Sequence, residues 1–169
     1  MINLKTATAL LLSILLAACG EDTEDNANTT INEFFAINST DSRTAEIVID
    51  PAIDDGDFSL RWDIDSSDPY HIELYLSEDS QLSKTTDVNF FGQNCGSPST
   101  IYNCNSVGNF ECRFTSENKI SCGTINSANN EKNVTDFMTT LPKEAFIVIE
   151  ACNGLFDSCK ESAIPVVFQ

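Results

Sequence analysis

The chain is predicted to be all-β, an antiparallel β-sandwich stapled by disulfides. Three observations point there. Two neighbouring segments, Phe58 to Asp65 and Tyr70 to Ser77, alternate apolar and polar residues with a period of two, the pattern of half-buried strands. Ala145 to Cys152 is apolar on nearly both faces, as a central strand is. Six cysteines, Cys95, Cys104, Cys112, Cys122, Cys152 and Cys159, stand in the chain's C-terminal half. An even number in an exported chain reads as three disulfides.

The N-terminus is the reason to expect export. Lys5 supplies a positive charge, and Ala7 to Leu16 is apolar apart from Thr8 and Ser13. Small residues follow at Ala17 and Ala18. These are the three regions of a secretory signal over residues 1–18. The apolar run is far short of the ~20 residues that a membrane span needs. Leu16-Ala17-Ala18-Cys19 resembles the lipobox of bacterial lipoproteins. The resemblance implies a diacylglycerol thioether on Cys19, cleavage just before it, and acylation of the freed amine. Two or more chains anchor firmly, at about 0.8 kcal/mol per buried CH₂. Gly20 follows, and family resemblance associates Asp at that position with inner-membrane retention. The expected address is therefore the outer membrane of a bacterial envelope, with the membrane met through lipid alone.

Residues 19–32 are rich in Glu, Asp, Asn and Thr and bury too little to fold. They are expected to be an acidic flexible tether, leaving one domain over 33–169. The whole chain has 26 acidic against 9 basic residues. Losing residues 1–18 removes Lys5 alone, leaving 8 basic residues and a net charge of −18. No basic patch exists to displace counterions from nucleic acid.

Ala45 to Ile49 is expected as an early strand. In the Phe58 segment, Phe58, Leu60, Trp62 and Ile64 share the inner face. In the next, Tyr70, Ile72, Leu74 and Leu76 go inward, with His71, Glu73, Tyr75 and Ser77 outward. Ser66-Ser67-Asp68-Pro69 between them is turn chemistry. Val88 to Asn130 is rich in Asn, Ser, Gly and Cys and poor in aliphatic residues, so about 88–130 is expected as a disulfide-rich insertion. Asn133 to Leu141 fits either a short helix, with Asn133 as N-cap and Pro142 as stop, or an irregular strand. Asn153-Gly154 starts a turn, and Ala163 to Phe168 returns as the last strand. Pro165 cannot donate to a ladder, which points to an edge.

Phe58-Ser-Leu-Arg-Trp62 with Tyr70-His-Ile-Glu-Leu-Tyr75 resembles strands B and C of fibronectin type III and immunoglobulin-like domains. Leu141-Pro-Lys-Glu-Ala-Phe146-Ile-Val-Ile-Glu-Ala-Cys-Asn-Gly154 resembles their E–F corner, strand F and F–G turn. The resemblance covers about half of the mature chain and implies an immunoglobulin-like sandwich. Phe146 stands where the corner tyrosine is expected, and the Cys-rich stretch has no counterpart.

Six cysteines allow fifteen connectivities. Cys152 and Cys159 flank a six-residue hairpin connection and are expected to pair. Cys112 and Cys122 flank the Ser116-Glu117-Asn118 turn, leaving Cys95 with Cys104. Pairing of 95 with 122 and 104 with 112 is the nested alternative. Zinc usually shows cysteines two to four residues apart, a spacing absent here.

No nucleophile elbow or zinc-protease motif is present, so no catalytic residue is assigned and no cofactor is expected. His71 and Glu73 share an outward face, which reads first as an exposed strand pair. Asp54, Asp55, Asp57, Asp63, Asp65 and Asp68 could offer oxygens to Ca²⁺, but they miss the EF-hand spacing and also suit a solvated face. The leading expectation is a non-enzymatic, lipid-anchored protein whose sandwich binds a protein or glycan or serves adhesion or envelope assembly. A passive envelope component is the alternative, with a hydrolase or inhibitor behind it.

Overall fold

A computed structural model of the chain describes residues 29–38, 46–66, 69–95, 107–123, 131–154 and 158–169. Cys19, Asp68 and Cys104 lie outside them, as do residues 1–28. Among the described residues, ten strands form two sheets: β1 (Thr29–Asn38), β2 (Ile47–Ile49), β3 (Asp57–Ser66), β4 (Tyr70–Ser77), β5 (Val88–Cys95), β6 (Val107–Phe114), β7 (Lys119–Cys122), β8 (Lys132–Asn133), β9 (Lys143–Asn153) and β10 (Cys159–Phe168). The first sheet runs β1-β3-β6-β7-β8 and the second β2-β10-β9-β4-β5. All pairs are antiparallel except β2 with β10, which is parallel.

The period-two segments became β3 and β4. Phe58, Leu60, Trp62 and Ile64 are buried from one sheet, and Tyr70, Ile72, Leu74 and Leu76 from the other. The two strands do not pair with each other, so the link between them crosses from sheet to sheet. β9 is central, between β10 and β4. It sends Ala145, Ile147, Ile149 and Ala151 into the core. Pro165 pairs with Phe146, and the β2 ladder covers only Val166 to Phe168. The proline therefore occupies the stretch of β10 that β2 leaves unpaired, where its missing N–H costs no ladder bond.

Three expectations need correction. The sandwich begins at Thr29, inside the expected tether: Thr29 is buried and pairs with Ser66, and their hydroxyls lie 3.3 Å apart. The Cys-rich stretch is not an excursion from the sandwich, because its described residues supply β5, β6 and β7. Aromatic side chains replace the missing aliphatic ones, each able to bury roughly 150–250 Å². Phe91 meets Phe110 across the sheets at 4.3 Å between ring centroids, Phe110 meets Trp62 at 4.6 Å, and Phe114 meets Phe168 at 4.8 Å.

Strand order is the third correction. The second sheet keeps the immunoglobulin-like succession. In the first, an immunoglobulin domain places the later of its hairpin strands beside strand B, in the order A-B-E-D. Here the earlier strand, β6, lies beside β3, and β7 folds outward from it. The cause is local. Asn118 takes a left-handed φ of 54°, closing a tight turn in which Asn118 N–H donates to the Thr115 carbonyl at 3.0 Å. The Cys112–Cys122 disulfide then locks the hairpin, with Cα atoms 4.1 Å apart.

Asn133 to Leu141 is neither a full helix nor a strand. β8 ends at Asn133, whose side-chain oxygen accepts from Thr135 N–H at 2.9 Å. One turn follows, with Phe137 and Met138 N–H donating to the Val134 carbonyl. Val134 and Met138 are buried.

Candidate functional site

The two outer faces of the sandwich differ. On the first sheet, Ser59, Arg61, Asn109 and Glu111 form a polar lattice, with Ser59 Oγ donating to Glu111 at 2.6 Å and Asn109 Nδ2 at 2.9 Å. Arg113 donates twice to Asp57, at 2.6 and 2.9 Å. This is the solvated side that period-two strands predict.

The outer face of the second sheet is organised in rows set by register. His71 on β4 stands opposite Cys152 on β9, which stands opposite Cys159 on β10. The next row is Glu73, Glu150 and Glu161. The third is Tyr75, Val148 and Ala163. Below it, Ser77, Phe146 and Pro165 align, and Val167 pairs with Val48.

Tyr75, Ser77, Val148 and Glu150 point outward yet are buried. The β4–β5 connection, residues 78–87, folds back over them. Leu82 N–H donates to Glu161 at 3.4 Å, and Lys84 Nζ reaches the Glu150 carboxylate at 2.8 Å. The connection holds its own shape: Asp79 caps Gln81 N–H, and Asp87 caps Ser83 N–H.

Electrostatics of this face centre on Lys84. Its pKa is raised, first by the hydrogen bond to Glu150, with Glu73 and Glu161 adding to the Glu150 field. Tyr75 donates its hydroxyl hydrogen to Glu73. Its pKa is pushed well up, chiefly by burial and then by that bond. His71 Nδ1 lies 2.7 Å from Asn94 Oδ1, and Nε2 lies 3.4 Å from Glu73. Asn94, His71, Glu73 and Tyr75 thus form a continuous polar chain.

Both groups hold their protons more tightly folded than unfolded. The unfolded chain loses those protons near pH 10, so it binds fewer than the native state above that pH and stability falls there. Stability should therefore decline above about pH 10, and Tyr75→Phe should blunt the decline. Following tyrosinate absorbance against circular dichroism checks this. Ionisation of all three tyrosines before unfolding would contradict it.

Beside this face lies a cleft of about 520 Å³ between the β4–β5 connection and the turn after β8. Glu78, Asp79, Asp87 and Asp136 line it with Phe137 and several hydroxyls. Lys143 stands near it, bonded to Glu78 at 2.6 Å and 5.0 Å from the Phe137 ring centroid.

The residues singled out in the sequence fall as follows. Cys152 and Cys159 form a disulfide with Cα atoms 4.0 Å apart, and Cys112 pairs with Cys122. Cys95 is disulfide-bonded, its partner outside the described residues. Asp54 and Asp55 sit in a single 3₁₀ turn before β3. Asp57 is taken by Arg113, and Asp63 and Asp65 face outward from β3 with Arg61. No three of these carboxylates converge among the described residues. The one set of three ligating groups brought together there is Glu150, Cys152 and Cys159, and both of its sulfurs are in the disulfide.

Sequence reading missed Lys84, Glu150 and Glu161. A signal for Glu150 was present: a carboxylate inside a strand apolar on both faces needs a partner. Nothing local points to Lys84 as that partner. No protein-family model matches the chain, and no curated protein or solved structure does.

Proposed function

We propose that the chain is a lipid-anchored protein of the bacterial envelope, sorted to the outer membrane. On this reading its immunoglobulin-like sandwich is a non-enzymatic module that binds a protein or glycan through the outer face of the second sheet. The leader ending in Leu16-Ala17-Ala18-Cys19 supports the anchor. The observation that carries the binding reading is the difference between the two outer faces. One is a solvated polar lattice. The other joins a half-exposed apolar stripe, Val48, Val167, Pro165 and Phe146, to the acidic cleft through Ser77. An apolar patch rimmed by polar groups is a common mark of an interaction surface.

Photo-crosslinking in the native envelope tests it. A photoreactive residue at Val48, which is exposed on this face, should give a discrete adduct. The same residue at Asn109, exposed on the first sheet, should give none. Equal labelling from both sites, or from neither, would favour the passive envelope component instead.

A further inference from the structure

The Cys152–Cys159 bridge differs from the other described disulfide in its surroundings. Cys112 and Cys122 belong to the hydrophobic core. Cys152 and Cys159 lie outside that cluster, on the outer face, and Cys159 is only half-buried. Cys152 is itself only 2% exposed, so a reductant reaches this bond from the half-buried Cys159 side. Register holds the two sulfurs together independently of the bond, because β9 and β10 remain paired from Lys143 opposite Phe168 to Cys152 opposite Cys159.

The neighbourhood suits a cation. The Glu150 carboxylate and both sulfurs lie within 4.8 Å of one another. Glu73, Glu150 and Glu161 form the adjacent row, and Lys84 is the ammonium they converge on. Cleaving the bond and ionising both sulfurs would place two negative charges beside a row already carrying three carboxylates against one lysine. A divalent cation relieves that repulsion. Two thiolates and a carboxylate are a zinc-type donor set, and Zn–S bonds of about 2.3 Å at a tetrahedral angle put the sulfurs about 3.8 Å apart. Facing cysteines on paired strands reach that separation by side-chain rotation alone.

We propose that reduction of Cys152–Cys159 opens a metal site on the outer face of the second sheet, taking a thiophilic divalent cation such as Zn²⁺ on Cys152, Cys159 and Glu150. In the first step a dithiol reductant gives two electrons and two protons to the S–S bond and leaves as its own disulfide. In the second, the metal displaces both thiol protons to solvent and bonds the two sulfurs, with one Glu150 oxygen as third donor. Water fills the fourth position. Oxidised protein has no thiolate to offer there, so the site exists in one redox state only. The inference does not depend on what the face binds otherwise.

Co²⁺ is the probe. The full chain is treated anaerobically with limiting dithiol, freed of reductant by gel filtration, and mapped by alkylation to identify the opened bond. One Co²⁺ per chain should then bind, with a thiolate charge-transfer band, and should protect Cys152 and Cys159 from alkylation. Glu150→Gln should weaken binding by about tenfold or more, and Cys152→Ser with Cys159→Ser should remove the band. Circular dichroism should show the sandwich intact after reduction. Four results would overturn the proposal: no band once these two thiols are mapped as free, equal binding by the oxidised chain, undiminished affinity in Glu150→Gln, or unfolding when this bond alone is cut.

Discussion

Trp62→Ala should destabilise the domain by about 3–5 kcal/mol, as expected for truncating a fully packed tryptophan. Trp62 is 2% exposed in the middle of β3. Its neighbours there are Phe34 by strand pairing and Phe110 by ring contact. Surrounding strands on both sides and the opposed sheet leave little room for the site to collapse, so most of the cavity would persist. The indole N–H is buried without an acceptor in hydrogen-bonding geometry among the described residues. The Tyr70 phenol is kept neutral chiefly by burial, and the Trp62 N–H offsets part of that rise. Trp62→Phe should cost far less, about 1 kcal/mol, because it keeps an aromatic ring in the site. Urea unfolding followed by circular dichroism measures both variants. A cost below about 1 kcal/mol for Trp62→Ala would mean that the aromatic contacts do not hold the sheets together.

The legible parts of the fold were those set by local pattern. Phe58 to Asp65 and Tyr70 to Ser77 announced their faces through period two alone. Ala145 to Cys152 announced a central position because nothing polar interrupts it before Glu150. The Asn153-Gly154 turn put Cys152 opposite Cys159 without help from the rest of the chain. Other features depend on pairings far apart in sequence. Aliphatic counting made Val88 to Asn130 look like an insertion, whereas Phe90, Phe91, Phe110 and Phe114 put it into the core. Outward-pointing Tyr75 and Ser77 were expected in solvent, but the β4–β5 connection covers them. The same connection explains how Glu150 is tolerated, since Lys84 reaches it from 66 positions earlier in the chain. His71, Cys152 and Cys159 share a row only because β4 pairs with β9 in one particular register. A one-residue slip would send His71 to the other face.

Cys19→Ala should release the protein from the membrane altogether, the second large effect. A lipobox cysteine carries the thioether lipid, and its amine becomes acylatable only after cleavage before it. Removing the thiol removes the first acylation and with it the rest. On the proposed reading, the processed chain would have little else to hold it at a bilayer. Its net charge of −18 repels anionic headgroups, and among the described residues no helix is long and apolar enough to cross a membrane. Anchoring through several acyl chains is firm, whereas an unlipidated acidic domain has no comparable affinity. Detergent phase partition of the exported protein, read together with the intact mass of its N-terminus, is the direct measurement. Wild type should enter the detergent phase with acyl mass on Cys19, and Cys19→Ala should remain aqueous with none. Unchanged partition of Cys19→Ala, or a wild-type mature N-terminus without acyl mass, would contradict the lipid-anchored reading.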